Sequence, residues 1–199
     1  MSEVYDLGKK KVLNICIPRT GSTSICKAFN ATVLGHHDYN FFIQHNRGFD
    51  FSFAFVRNPL SRVHSAYYYL KAGGVNYVDR DDWKKYCAPF KGFEHFIMEG
   101  LYACKCLQQH FKPQFTYVCK FDAFTNKHCG PVAVDFIGKF ESLQKDFDTL
   151  CGMINKEKVV LGHYNKCMHD DMEQGYTKEM ESMVKENYKH DFELFNYEK

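Results

Sequence analysis

Apolar positions along the chain follow two periods. KVLNICI (11–17) is a short, continuous apolar run closed by Pro18, which predicts a buried strand. After it Ile25, Phe29 and Leu34 fall close to helical spacing, so a helix is expected from about Ser22. FSFAFV (51–56) reads as a second strand and ends in Arg57-Asn58-Pro59. Proline suits a first helical turn, and Leu60, Val63, Tyr67 and Leu70 then mark one helix face. VAVDFIG (132–138) predicts a third strand, followed by a helix with Leu143, Phe147, Leu150 and Ile154 on one stripe. A last amphipathic helix is expected over 177–188, with Met180, Val184 and Tyr188 inward. Between 72 and 130 the period is lost. That stretch opens on Gly73-Gly74 and holds the charged run DRDDWKK, so it is expected to be loop-rich, with GFEHFIMEGL as a short helix.

Strands alternating with helices predict an α/β fold with a mainly parallel central sheet. A chain of 199 residues is expected to make one domain, 1–199. Ligands in such sheets bind beyond the carboxyl ends of the strands, and Arg19 and Arg57 both fall at such ends. The formal net charge of +2 gives no overall field to attract nucleic acid or anionic membrane, so any anion site is local. No apolar run is long enough to cross a bilayer, and MSEVYDLGKKKVLNICIP lacks a signal peptide's apolar centre. The nine cysteines are odd in number and include no CxxC, only the CxC of Cys104 and Cys106. Reduced thiols in a cytoplasmic protein are therefore expected.

The chemistry concentrates in ICIPRTGSTS (15–24). Arg19, Thr20, Gly21, Ser22, Thr23 and Ser24 combine a cation, a glycine for close backbone approach and four hydroxyls at an expected helix N-terminus. Such a loop suits a tetrahedral anion, and the same residues also suit an ordinary helix cap by Thr20 or Ser22. The Walker lysine is missing, because Lys27 lies well into the helix and no second glycine precedes it. A Mg-nucleotide loop is thereby disfavoured. A tyrosine-phosphatase loop at His128-Cys129-Gly130 also fails, because Asp135 stands where its arginine would be.

FVRNPLSRVHSAY carries Arg57 at a strand end and Ser65 eight residues on, in the following helix. Together with IPRTGSTS it resembles the sulfotransferases that use 3′-phosphoadenosine 5′-phosphosulfate (PAPS). VDFIGKFESLQKDF and the ending YTKEMESMVKENYKHDFELFNY resemble further segments of that family in the same order. GHHDYNFF with SAYYYLKAGG most resembles the carbohydrate branch, the 2-O-sulfotransferases acting on uronic acids. The resemblance implies a fold related to P-loop kinases, PAPS as donor, 3′,5′-adenosine bisphosphate as product and a hydroxyl-bearing acceptor such as a saccharide. Residues 19–24 would hold the 5′-phosphosulfate, Arg57 and Ser65 the 3′-phosphate, and 72–130 an acceptor-side insertion. Enzymes of this branch are usually anchored in the Golgi, so a trimmed lumenal domain is the alternative to a cytoplasmic protein.

Sulfuryl transfer needs an acceptor oxygen in line with the leaving phosphate, a base, and positive charge at the leaving oxygens; no metal is required. The resemblance maps the catalytic histidine onto His36 of GHHDY, with His37 as the neighbour that a local shift would substitute. Arg19 stands where the family usually has lysine. Arginine keeps the charge but gives up its proton too reluctantly to act as a general acid. A nucleotide-dependent small-molecule kinase, or a nucleotide-binding module that has lost catalysis, are the competing readings. His163, Cys167, His169 and Asp170 in GHYNKCMHDD could be read as metal ligands, but the resemblance implies a nucleotide-covering loop here, with Lys166 on a phosphate. Tyr67, Tyr68 and Tyr69 read as core and helix surface, and Arg80, Lys84 and Lys85 as a solvated charged face.

Overall fold

The computed structural model describes residues 4–32, 35–121, 130–164 and 175–197. They form two compact units: 1–57 with 114–165, and 58–113 with 166–199. The first holds a four-stranded sheet in the order β1-β2-β3-β4, made of Val4–Asp6, Lys11–Ile15, Phe51–Val56 and Phe136–Lys139. β1 pairs antiparallel with β2, and β2, β3 and β4 run parallel. Phe51–Val56 is a strand over its expected length. Of the other two, β2 ends two residues before the expected 17, and β4 starts four residues after the expected 132 and ends one after 138. The Ile17 amide turns back to the Ile15 carbonyl and closes β2 early, at 3.1 Å. Asp135 accepts from the Ser52 amide at 2.7 Å, so β4 starts only after it.

One face of the sheet (Val12, Phe53, Phe55) packs on Ile25 and Cys26 of α1 (Ser22–Ala28) and on Phe147, Leu150 and Cys151 of a later helix, Leu143–Met153. Gly138 faces Phe55 directly across the β3–β4 ladder, and a Cβ there would lie 2.3 Å from the Phe55 ring. Burying that ring therefore requires glycine as its partner. Ile15 pairs with Ala54 and Val56 with Lys139, so the parallel strands finish within two residues of one another and their connections leave from the same end of the sheet. A short helix, α2 (Tyr39–Gln44), lies between β2 and β3 in sequence and is capped by Asp38. Its YNFFIQ stretch carried no periodic signal long enough to read.

The second unit is helical. Its α3 (Pro59–Lys71) begins with Asn58 as cap and Pro59 in the first turn, as the sequence requires. The stretch expected to be loop-rich is instead largely helical up to Leu107. It contains α4 (Tyr77–Asp82) running into a π-helical turn (Trp83–Cys87), then α5 (Phe93–His95), a second π-helical turn (Phe96–Gly100) and α6 (Leu101–Leu107). Phe93, Phe96, Ile97, Leu101 and Cys104 are buried at helical spacing, in agreement with the short helix expected at GFEHFIMEGL; the charged run before it hid the helical turns of 77–87. Asp79 anchors the segment by accepting hydrogen bonds from Tyr69 and the Val75 amide at 2.7 and 2.9 Å. Tyr67 is core, while Arg80, Lys84 and Lys85 are exposed. A short α7 (Phe115–Val118) and α8, the Leu143–Met153 helix above, belong to the first unit. In the second, Thr177 caps α9 (Lys178–Asn187), which buries Met180 and Val184, and α10 (Lys189–Leu194) follows.

Candidate active site

The β2–α1 connection ends in a helix start that carries no side-chain cap. Its N-cap position is Gly21, at φ +86°. By contrast, α2, α3, α4 and α9 all receive side-chain caps. The two hydroxyls that the capping alternative required are committed elsewhere, since Thr20 and Ser22 both donate to the Ile17 carbonyl at 2.9 Å. They brace the loop from below, and what they offer an anion in this conformation comes from their amides. Arg19 is left-handed at φ +68°, as is Gly21, while Thr20 between them is not. Alternation of this kind is how backbone concavities for anions are made. For a non-glycine residue such as Arg19 the left-handed conformation costs on the order of 1–2 kcal/mol, the kind of strain that collects at functional sites. A side chain at Gly21 is strained by its φ of +86°, and its Cβ would also require the Leu143 methyl, 2.9 Å away, to shift. Thr23 and Ser24 complete the first turn, with Ser24 buried.

His36 is fastened to the root of this loop. Its Nδ1 lies 2.6 Å from the Cys16 carbonyl, which accepts only, so Nδ1 is the protonated nitrogen. Nε2 then carries the lone pair, the arrangement required of a base. His37 is placed differently: it is exposed and stacks on Phe41, ring centroids 3.9 Å apart. Asp38 serves as the α2 cap, accepting from the Phe41 amide at 3.0 Å.

Arg57 leaves β3 beside the loop. Its Nη1 donates to the Arg19 carbonyl at 3.4 Å, and its guanidinium lies over the Phe140 ring at 4.2 Å. The backbone of Arg57 is clamped by Gln114, a fully buried side chain. The Arg57 amide donates to Gln114 Oε1 and Gln114 Nε2 donates to the Arg57 carbonyl, each at 2.8 Å. A side chain thus does what one more strand residue would do, and it fixes where Arg57 starts. Phe140 is set in turn by Asp146, which accepts from the Lys139 amide at 2.7 Å and from Ser142 at 2.8 Å. Gln114 and Phe140 were not singled out from the sequence. FIGKFESLQKDF was noticed only as a family segment, and nothing near Gln114 marks it. Gln114→Ala removes two hydrogen bonds of about 1 kcal/mol each, an expected fall in thermal midpoint of roughly 4–8 °C readable by calorimetry.

The first unit therefore brings together the 19–24 loop, His36 and Arg57. Ser65 belongs to the second unit, buried on the second turn of α3. Lys166, with Cys167, His169 and Asp170, lies outside the described residues. Lys27, which lies too far into α1 to stand for the missing Walker lysine, sets its ammonium over the Tyr164 ring at 3.7 Å. Among the described residues no group of three or more His, Cys, Asp and Glu is placed to hold a metal ion, and no helix is long and apolar enough to cross a membrane.

A sequence model of the family described as "Sulfotransferase family" matches residues 6–198. The chain belongs to the sulfotransferase family. Its reaction class is accordingly sulfuryl transfer, and the mostly parallel sheet with flanking helices agrees with the P-loop-like fold of that family. Comparison with curated proteins and with solved structures returns no match.

Proposed function

We propose that this sulfotransferase moves a sulfuryl group from PAPS to a carbohydrate hydroxyl, in the manner of the uronic-acid 2-O-sulfotransferases, by in-line displacement with His36 as base. The observation that carries the reading is the pairing of an uncapped, left-handed loop with a histidine whose tautomer is set by the loop's own root, Cys16. Bound PAPS would supply the sulfuryl group and the phosphate that leaves. Amides of 20–24 and the Arg19 guanidinium hold the 5′ end and stabilise charge on the leaving oxygens. Arg57 and Ser65 take the 3′-phosphate, and Lys166 adds a further phosphate contact. His36 Nε2 accepts the acceptor hydroxyl's proton. Arg19 acts by charge alone, because arginine does not readily give up a proton. No step requires a metal.

Three features support this over a kinase: the absent Walker lysine, the engagement of Lys27 with Tyr164, and the family match. The acceptor class rests on GHHDYNFF and SAYYYLKAGG, and a cytoplasmic setting on the unlinked cysteines among the described residues. Titration calorimetry tests the donor. The expected result is tight binding of 3′,5′-adenosine bisphosphate without metal and weak binding of Mg-ATP. Tight Mg-ATP binding with no affinity for the bisphosphate would remove PAPS from the account.

A further inference from the structure

Beneath the anion loop lies a polar cluster that the proposed reaction does not use. Cys16 follows the end of β2 and Cys26 sits on α1, so the pair brackets residues 18–24 from both sides. Their sulfurs are 3.7 Å apart, and neither is in a disulfide. Both belong to the apolar core, with 0% and 1% exposure. Yet Cys26 Sγ collects polar neighbours: the Tyr5 hydroxyl at 3.2 Å and Asn14 Nδ2 at 3.7 Å, in addition to Cys16. Asn14 also donates to the Tyr5 oxygen at 3.0 Å, which turns the Tyr5 proton towards sulfur. Asn14 donates to this sulfur, the Tyr5 hydroxyl is turned towards it and the Cys16 thiol lies within hydrogen-bond reach, a setting that favours the Cys26 thiolate. The hydrogen bond from Cys16, with those from Tyr5 and Asn14, holds the Cys26 thiol below its ordinary range despite the opposing effect of burial. The other described thiols lack this setting. Cys87 is pushed up by its hydrogen bond with Cys104 and by burial, and Cys151 is pushed up by burial.

We propose that Cys16 and Cys26 form a redox site: a small hydroperoxide converts them to a reversible disulfide that closes the ring around residues 18–24 and switches off the loop. In the first step the Cys26 thiolate attacks the peroxide, breaking its O–O bond to give a sulfenic acid and an alcohol or water. In the second, the Cys16 sulfur attacks the Cys26 sulfur and water leaves, with both thiol protons ending in the released alcohol and water. The two sulfurs together give up two electrons, and the peroxide takes them. Burial selects the oxidant, since a hydroperoxide is small enough to enter the core and a bulky disulfide is not. A cleft of about 390 Å³ lined by Tyr5, Ala28 and Phe29 adjoins the cluster on the surface side. The structural cost falls on the site. Disulfide sulfurs sit about 2.05 Å apart, so closure draws the end of β2 towards α1. It displaces Cys16, whose carbonyl orients His36, and stiffens the loop that must fit the anion.

The consequence for donor binding rests on the PAPS reading; the disulfide itself does not. The test treats the full chain with hydrogen peroxide, maps disulfides by non-reducing digestion and mass spectrometry, and measures affinity for 3′,5′-adenosine bisphosphate. The expected result is a Cys16–Cys26-linked peptide, an affinity lower by about tenfold, within the usual range for coupled sites, and recovery with dithiothreitol. Cys26→Ser is expected to show the same affinity before and after peroxide. Oxidation of the exposed Cys106, or linkage of Cys87 to Cys104, without a Cys16–Cys26 link would overturn the proposal. A Cys16–Cys26 link that leaves affinity unchanged would overturn it equally. If the reduced protein does not bind the bisphosphate at all, the PAPS reading fails. Hydrogen exchange at the 18–24 amides then decides the redox site: slowed exchange on linkage supports it, and unchanged exchange rejects it.

Discussion

Replacing His36 with alanine is expected to lower kcat by about 10²–10⁴-fold, the usual contribution of a positioned general base, while leaving affinity for 3′,5′-adenosine bisphosphate essentially unchanged. The split follows from geometry. His36 Nδ1 donates to the Cys16 carbonyl, whereas the nest is formed by amides at the start of α1. Loss of the imidazole removes the lone pair on Nε2 and not the anion nest. His37→Ala is expected to cost far less, because that ring stacks on Phe41 at the surface. The measurement is initial rate at saturating donor beside calorimetric affinity for each variant. Equal rates for wild type and His36→Ala would remove His36 from the mechanism, and loss of rate with His37→Ala alone would transfer the role to its neighbour.

Arg57→Ala is expected to weaken binding of 3′,5′-adenosine bisphosphate by roughly 10–150-fold, the equivalent of about 1.5–3 kcal/mol for hydrogen bonds to a charged group. The effect should be specific to one phosphate. Adenosine 5′-phosphosulfate lacks the 3′ group, so its affinity should be nearly indifferent to Arg57. Comparing two ligands on two proteins closes a cycle that isolates the contact from general damage. General damage is a real competitor here, since Arg57 also packs on Phe140 and donates to the Arg19 carbonyl. Equal losses for both ligands would assign Arg57 to holding the loop and not to the 3′-phosphate. Ser65→Ala, which removes a neutral hydroxyl, is expected to follow the same ligand dependence at about 0.5–1.5 kcal/mol.

Much of the fold was legible because its elements are long enough to show a period. β3 and α3 could be placed from FSFAFV and from Leu60, Val63, Tyr67 and Leu70, and α8 and α9 from their stripes. β1, three residues long, is too short to alternate visibly. Between 77 and 107 only the GFEHFIMEGL helix could be read, on Phe93, Phe96, Ile97 and Leu101, whereas the charged run around Asp79–Lys85 hid the helical turns before it.

The candidate site was legible where its residues follow a strand end. Arg19 and Arg57 follow β2 and β3, and that position alone made them candidates. What could not be read were contacts between distant residues. Gln114 reaches Arg57 across 57 positions, and His36 reaches a backbone carbonyl 20 positions away. Nor does composition reveal that Thr20 and Ser22 turn their hydroxyls towards Ile17. The loop's hydroxyls suggested a cradle of side chains, whereas the folded chain offers an uncapped first turn of amides.

The most direct test of the central claim follows labelled sulfur from PAPS into a uronic-acid polysaccharide, with release of 3′,5′-adenosine bisphosphate measured in the same reaction. The account predicts label in the polysaccharide, equal in amount to the bisphosphate released and undiminished by a metal chelator. Tight bisphosphate binding with no label transferred to the polysaccharide, or transfer that stops when metal is removed, would contradict it.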